Sequence, residues 1–242
     1  KLPVEAPLEG RFDLVVAGGG IAGISAAVSA ARLGMKVALI QNRPVLGGNN
    51  SSEIRVWRSG KTRRGKYPAL GSIVDGLGAE RAENFKDGKT FGDDSKRDLI
   101  RSEENISLYL NYHIVKAITI NGAIESVIAR NIENGSELRF KGSIFADCTG
   151  DANLGYLAGA EYREGSELQS ETGESKAPLS DSLQVLGASL YWWCNNTGEA
   201  VSFPECSWAM QFSEESCQHA LQGSWNWESG FSKNMISEIG RA

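Results

Sequence analysis

Cysteine and histidine are scarce in this chain, with four and two copies among 242 residues. No two cysteines form a CxxC pair, which argues against both a disulfide scaffold and a structural zinc site. His113 and His219 lack the HxH or HxxxH spacing of metal ligands, so we expect each to be an ordinary strand or helix residue. The sequence therefore predicts no metal site.

Excess positive charge and long apolar runs are also missing. The 25 Lys and Arg residues against 30 Asp and Glu give a net charge of −5 and a pI near 5.3, which argues against nucleic acid or an anionic membrane as a partner. The most apolar stretch, residues 14–31, is interrupted by a glycine cluster and two serines and is too polar for a transmembrane helix. We expect a soluble, globular protein, cytoplasmic or periplasmic. Because the first residue is Lys1, we also expect a processed form or a piece of a longer protein.

The first 41 residues have the pattern of a strand, a turn, a helix and a second strand. Residues 12–17 and 36–40 are short apolar runs, and between them residues 21–33 are mostly small and apolar, with Gly34 where a helix would end. A crossover helix connects parallel strands, so residues 12–41 predict a right-handed βαβ unit.

A second sheet region follows a polar stretch. Apolar runs at 106–110, 114–120, 124–129, 137–140 and 143–146 are separated in two places by Asn-Gly, the strongest short hairpin signal. We therefore expect an antiparallel meander over about 106–146 and a small-residue helix at 152–160. The basic cluster at 58–66 is expected to be a solvated loop. Five of the six tryptophans follow residue 190, which marks a different layer or domain.

Three glycines between the first strand and the first helix match the template GxGxxG. Gly18 permits the sharp turn, Gly20 lets a pyrophosphate approach the backbone, and Gly23 allows close packing of helix on strand. The pyrophosphate then lies at the helix N-terminus, where free N–H groups favour negative charge. The alternative is a glycine turn with a purely structural role.

The template expects an acidic residue for the adenosine ribose at the end of the second strand. Gln41 and Asn42 stand there instead. Amides still hydrogen-bond hydroxyl groups, without the assistance of charge. A phosphorylated ribose bound by Arg43 is the alternative.

Three segments together, VVAGGGIAGISAA, RPVLGGNNSSEIRV and FADCTGDANLGYLAGAEY, resemble the FAD-dependent oxidoreductases of the glutathione-reductase-like, two-dinucleotide-fold type. The bacterial group related to xanthan lyase is the most similar, and the later segments GASLYWW and WNWESG also look like that group. The resemblance implies noncovalent FAD as the cofactor and hydride transfer from a small polar organic substrate, with a carbohydrate among the candidates.

The resemblance also implies where FAD would bind. Expected contacts to the pyrophosphate, the ribose and the flavin come from Gly18, Gly20, Ile21, Ala22, Gly23, Gln41, Asn42, Arg43, Gly47, Gly48, Asn49, Ser51 and Ser52. Ile114 matches the position whose backbone meets adenine, and Thr149, Gly150 and Asp151 match the second FAD fingerprint. For this last turn the alternative is an ordinary turn with Asp151 as N-cap of the next helix.

Glu53 and Arg55 are the candidate catalytic residues, since they follow the Gly-Gly turn as the best-placed ionisable pair. A structural salt bridge between them is the alternative. The tryptophans are candidates for stacking on sugars, with core packing as the alternative.

The expected fold is α/β, with a three-layer Rossmann-like FAD-binding domain over 1–165 and an incomplete, mixed α+β substrate domain over 166–242. The family usually closes its flavin site with a final strand and a glycine-acidic turn, which we do not find here, so we expect a C-terminal segment or a second chain to complete it. Three other functions stay open: a non-redox, lyase-like flavoprotein, a carbohydrate-binding module, and an NAD-only dehydrogenase.

Overall fold

The computed structural model describes residues 6–58, 65–78 and 91–180. The chain divides into two units, Lys1–Gly187 and Ala188–Ala242. Within the described ranges, no helix is long and apolar enough to cross a membrane. The predicted domain boundary near residue 165 stays a prediction. The late tryptophans, the segments GASLYWW and WNWESG, His219 and most of the basic cluster lie outside the described residues.

The centre of the fold is a parallel sheet. Strand β1 (Leu8–Ala17) pairs in parallel with β2 (Val37–Gln41) on one side and with β6 (Glu137–Asp147) on the other. β2 also pairs in parallel with β3 (Ile106–Leu110). All five residues of β2 are buried, as expected of a parallel strand that is covered on both faces.

Helix α1 (Ile21–Arg32) makes the crossover between β1 and β2, which confirms the predicted βαβ unit. Its small residues allow it to lie close to the sheet. A short 3₁₀ helix (Pro68–Leu77) and α2 (Asp93–Ser102) precede β3. Both elements border a glycine, since Gly78 follows the 3₁₀ helix and α2 begins after Gly92.

Strands β4 (Tyr112–Ile120) and β5 (Ala123–Asn131) form an antiparallel meander with β6, so the six strands have the order β3-β2-β1-β6-β5-β4. The prediction placed residues 106–110 in this meander, which is wrong, because β3 joins the parallel sheet. The reason is that α2 supplies the crossover that a parallel neighbour of β2 needs, while only Asn111, at a φ of 62°, separates β3 from β4.

Residues 137–140 and 143–146 were expected to be two strands and form the single strand β6. A β-carbon on Gly142 would lie 2.9 Å from Cγ2 of Val15, so the glycine lets β6 run close past β1 without interruption.

Side chains of β1 alternate between two cores. Leu14 and Val16 pack with Ile24 of α1, whereas Val15 and Ala17 belong to the core beneath the meander. The fold therefore has three layers, helices, parallel sheet and meander, as predicted. Two short helices, α3 (Asn153–Leu157) and α4 (Gln169–Thr172), follow β6. The predicted helix at 152–160 is thus shorter than expected.

Candidate functional site

An open cleft of about 730 Å³ lies where β1, β2 and β6 end. Ligands of open α/β sheets bind at the carboxyl ends of the strands. The loop after each of these strands contributes to the lining, and so does the start of β4. The residues that line the cleft include Gly18, Gly20, Ile21, Ala22, Gln41, Asn42, Arg43, Gly47, Gly48, Asn49, Asn50, Ser51, Glu53, Trp57, Arg58, Tyr112, His113, Ile114, Cys148, Thr149, Gly150, Asp151 and Asn153.

The N-terminus of α1 opens into this cleft. The helix begins after Gly20 with no side-chain cap, and its first turn has no acidic residue. Its first N–H groups therefore stay available to an anion, and the helix dipole favours one. A β-carbon on Gly20 would meet no atom within 4 Å, so the protein itself leaves this approach open.

Gly18 and Gly23 have structural roles that the sequence predicted. Gly18 adopts a φ of 95°, which side-chain-bearing residues rarely adopt. A β-carbon on Gly23 would lie 1.8 Å from the carbonyl oxygen of Gly18. Gly23 does not line the cleft, and its function is to let α1 begin directly against the end of β1.

A second glycine loop, at residues 47–48, lies against the first. Gly47 N donates to Gly19 O at 2.8 Å, and Gly20 and Gly47 form an isolated parallel bridge. A β-carbon on Gly48 would lie 3.3 Å from the α-carbon of Gly20. The two loops together form one continuous surface of backbone in the cleft.

Gln41 connects these loops. The side chain is buried, its Oε1 accepts from Gly19 N at 2.8 Å, and its Nε2 donates to Val45 O at 3.2 Å. It was expected beside a ribose as a hydrogen-bonding partner. The structure places it in the cleft wall, with both ends of its amide used to hold backbone.

Glu53 and Arg43 form a bidentate ion pair, with both N–O distances at 2.9 Å. The hydrogen bond and charge of Glu53 raise the pKa of the Arg43 guanidinium. The alternative for Glu53 was a structural salt bridge with Arg55. The structure gives such a bridge to Arg43, while Arg55 Nε donates to Ser52 O at 2.8 Å. A carboxylate at Arg43 also neutralises the charge that a phosphorylated ribose would require.

Ser51 and Ser52 point in different directions. Ser51 lines the cleft and donates its hydroxyl to Gly48 O at 2.7 Å, which stabilises the glycine loop. Ser52 does not line the cleft. Its hydroxyl and its N–H both donate to Asp93 of α2. The expected contact of Ser52 with flavin stays a prediction.

The opposite wall is the turn after β6. Asp147 accepts hydrogen bonds from Thr149 N at 3.0 Å, from Thr149 Oγ1 at 2.6 Å and from Gly155 N at 2.8 Å. Thr149 Oγ1 in turn accepts from Asn153 N at 2.8 Å. Thr149 therefore performs the capping that the alternative interpretation gave to Asp151, and Asp151 stands exposed in the lining.

Ile114 lies between the meander and this turn. Its carbonyl accepts from Asn153 Nδ2 at 3.1 Å, and both residues line the cleft. The start of β4 thereby reaches the turn after β6, and the expected position of Ile114 beside adenine stays a prediction.

Most of the predicted cofactor residues meet in the cleft, and Gly23, Ser52 and Arg55 are not among its lining residues. Several residues that were not predicted from the sequence also line the cleft: Asn50, Trp57, Arg58, Tyr112, His113, Cys148 and Asn153. The position of Asn50 could have been predicted from the sequence, since it lies within the segment GGNNSSE, whose neighbouring residues were expected to contact FAD. The position of His113 could have been predicted in the same way, since it is the neighbour of Ile114.

These residues fit a dinucleotide. Gly20 leaves room for a phosphate at an uncapped helix N-terminus, and the backbone surface beside it has no β-carbons at Gly47 or Gly48. Asn50 adds a polar group, since it is only 5% exposed and, in the part of the chain that the structure describes, nothing donates to its Oδ1.

A family model described as "FAD dependent oxidoreductase" matches residues 13–235. A 39-residue segment, 16% of this chain, is 55% identical to the soluble pyridine nucleotide transhydrogenase of Ectopseudomonas mendocina (strain ymp) and covers 8% of that protein. Among solved structures, glycerol-3-phosphate dehydrogenase from Bacillus halodurans, complexed with FAD, is 15% identical, with a TM-score of 0.42 over 62% of this chain and 37% of the other. L-proline dehydrogenase from P. horikoshii is 20% identical, with a TM-score of 0.37 over 61% of this chain and 24% of the other.

The chain thus spans less than two fifths of the length of each of these three proteins. The family match has a different extent, since it covers nearly the whole chain. Over residues 13–235, the chain belongs to the FAD dependent oxidoreductase family, and its cofactor is FAD.

Proposed function

We propose that this chain supplies the FAD site of an oxidoreductase that oxidises a small polar organic substrate by hydride transfer to flavin. The observation that carries the proposal is the N-terminus of α1, which has no cap, no acid and a bare Gly20 where it opens into the cleft. An anionic ligand group at this point would receive the unpaired N–H groups of the first turn. FAD, when bound, supplies the hydride acceptor.

The chain's own residues have distinct parts in this proposal. The first turn of α1 binds the pyrophosphate, and the backbone of Gly47 to Asn49 lies along the dinucleotide. Thr149 to Asp151 close the site from the other side, with Ile114 beside adenine. In support, all these residues line one cleft. Gln41 acts indirectly, since its amide fixes the glycine loops in place.

Glu53 and Arg55 are retained as proposed catalytic residues. The contacts of Glu53 favour a different part, because its carboxylate is held by Arg43 on both oxygens. To accept a proton from substrate, the carboxylate would have to use a lone pair that Arg43 leaves free. Substitution Glu53→Gln distinguishes the two parts, as described below.

A carbohydrate substrate is the finer proposal. It depends on tryptophans beyond residue 190, which the structure does not describe, and on the resemblance of the later segments. A panel of sugars and small hydroxy and amino acids, added without oxygen to the yellow protein, tests it. Bleaching by a sugar alone supports the proposal, and bleaching by another class assigns a different substrate.

The first experiment is the visible absorption spectrum of the purified chain, followed by acid release and mass identification of any chromophore. Flavin bands with FAD in the released fraction support the proposal. A folded chain that is colourless and takes up no added FAD contradicts it for this chain. A longer form that turned yellow would then assign the missing part of the site to another segment.

A further inference from the structure

A lysine on α2 is buried directly beneath the second glycine loop. Lys96 is fully buried, and its ammonium donates to the main-chain carbonyl of Phe91. Charged side chains are almost never fully buried unless they are paired. This lysine is therefore an unusual residue in the fold, and the functional site described above does not use it.

The position of the side chain relates it to the cleft. A β-carbon on Gly47 would lie 3.0 Å from Cε of Lys96 and 2.3 Å from the carbonyl oxygen of Asn50. The end of the lysine thus packs against one side of the turn at 47–50, while residues of this turn line the cleft with the other side. The end of the Lys96 side chain is therefore adjacent to a turn that forms part of the cleft wall.

Two charged groups act on this ammonium from the surrounding elements. Asp93 precedes it on α2, and its carboxylate accepts both the hydroxyl and the N–H of Ser52. Arg58, from the segment after the loop, adds positive charge nearby. The carboxylate is thus shared, and the local charge around Lys96 is not fully balanced.

An anion in the cleft would improve this balance. At an effective dielectric constant of about 20, two unit charges about 10 Å apart attract strongly enough to change a binding constant by about tenfold. We propose that Lys96 is a positioning residue whose ammonium, acting through the Gly47–Asn50 turn, stabilises the negative charge of the dinucleotide in the cleft. This inference rests on the proposed FAD site.

The inference predicts that the affinity for FAD depends on pH, in a range well below that of an ordinary lysine. Burial, partly offset by Asp93 and reinforced by Arg58, lowers the pKa of Lys96 to about 8. The bound anion favours the charged form, so binding raises this pKa. Affinity for FAD is therefore full below the pKa of the free protein and falls as the pH rises through the pKa of the complex.

The test is the dissociation constant of FAD, measured by quenching of flavin fluorescence from about pH 6.5 to about pH 9.5, the range around the lysine pKa. The diphosphate of FAD keeps its charge across this range. We expect the wild-type affinity to fall about tenfold, as a nearby unit charge predicts. Lys96→Met should bind about tenfold more weakly near neutral pH and show no further fall. The matched control, Lys176→Met, removes an exposed lysine and should leave the curve unchanged.

The cleft lining also contains a thiol, Cys148, and an imidazole, His113, and each has its own control. Burial raises the pKa of the Cys148 thiol, whose ionisation would also repel an anion, so Cys148→Ser should retain the fall if Lys96 causes it. His113→Gln removes the second group, the imidazole, and should likewise retain the fall if Lys96 causes it. Either variant excludes Lys96 as the cause if it abolishes the fall, and this result does not depend on whether Lys96→Met folds, which circular dichroism checks.

Failure of the proposed role of Lys96 and failure of the proposed FAD site give different results in this experiment. If FAD binds with the same affinity at every pH, or if Cys148→Ser abolishes the fall, Lys96 has no such part and the FAD site stands. A folded Lys96→Met that keeps the wild-type curve has the same meaning. If FAD binds at no pH, the proposed function fails and the inference fails with it.

Discussion

A β-carbon on Gly23 would lie 1.8 Å from the carbonyl oxygen of Gly18, a distance that no pair of such atoms tolerates. Gly23 is buried within α1, where alanine would otherwise be favoured over glycine by about 0.5–1 kcal/mol. The relationship therefore reverses the usual effect of glycine in a helix.

Substitution Gly23→Ala should destabilise the chain by about 1–3 kcal/mol, the usual cost of overpacking, because α1 must move away from the end of β1. Urea unfolding followed by circular dichroism measures this. Gly34→Ala is a poor control because its φ is 88°, whereas Ser25→Ala on the same helix introduces no clash. Equal stabilities for wild type and Gly23→Ala would show that the contact relaxes freely.

Substitution Gly20→Ala is expected to weaken FAD binding while changing the stability of the chain only slightly. Its φ is −68° and its β-carbon would meet nothing, so the loss of stability should stay near the cost of a poorer N-cap, about 1 kcal/mol or less. FAD affinity should fall at least about tenfold, because the new methyl group enters the approach to the helix N-terminus. Fluorescence titration with FAD measures it. Unchanged affinity would place the pyrophosphate elsewhere.

Gln41→Leu should destabilise the protein by about 2 kcal/mol, because it leaves the N–H of Gly19 and the carbonyl of Val45 without their partner. Gln41→Glu is the matched comparison, since a carboxylate can still accept from Gly19 but cannot donate to Val45. Thermal unfolding compares the two. If Leu is tolerated as well as Gln, the amide does not connect the loops in solution.

Glu53→Gln should change stability by less than about 1 kcal/mol, as expected of a partly exposed ion pair. If Glu53 only orders the loop, flavin reduction by an identified substrate should stay within about tenfold of wild type, whereas a proton-abstracting carboxylate contributes about 10²–10⁴-fold. Stopped-flow measurement of flavin bleaching distinguishes these results. Arg43→Gln, which breaks the same pair from the other side, is the control.

Asp147 should make the chain sensitive to acid. Burial alone would raise the pKa of this carboxyl, but hydrogen bonds from Thr149 and Gly155 outweigh it and hold the pKa below its usual value. Its contribution to stability is present above the unfolded-state pKa near 4 and is lost as the pH falls through the lower folded-state value. Asp147→Ala should therefore lose less stability than wild type between about pH 6 and about pH 3. The midpoints of urea unfolding at both pH values measure this difference. Equal losses of stability in wild type and Asp147→Ala would contradict the prediction.

The βαβ unit was predictable because every level of the sequence agrees on it: buried apolar strands, a glycine turn and a helix of small residues. The partner of β3 was not, because an apolar strand gives no sign of which neighbour it pairs with. The Asn-Gly turns favoured the meander, whereas the crossover through α2 decided the pairing.

The side-chain contacts at the site could not be predicted from the sequence for a similar reason. Sequence position predicted that Gln41, Ser51 and Ser52 lie near the cleft, but not where their side chains point. Gln41 faces Gly19, and Ser52 faces Asp93 across 41 positions of sequence. Such partners depend on how the loop folds back against α1 and α2, and no local pattern encodes that.

The contact between the two glycine loops has a consequence for how the cleft meets its ligand. Gly19 and Gly47 are joined by a main-chain hydrogen bond, and the side-chain amide of Gln41 accepts from Gly19, so that these bonds join protein groups to one another. The binding surface is thus organised in advance, and little conformational entropy remains to be lost on association. The amide protons of Gly19 and Gly47 should accordingly exchange slowly with solvent even in the ligand-free chain. The ligand would then bind to a surface that already has its bound conformation.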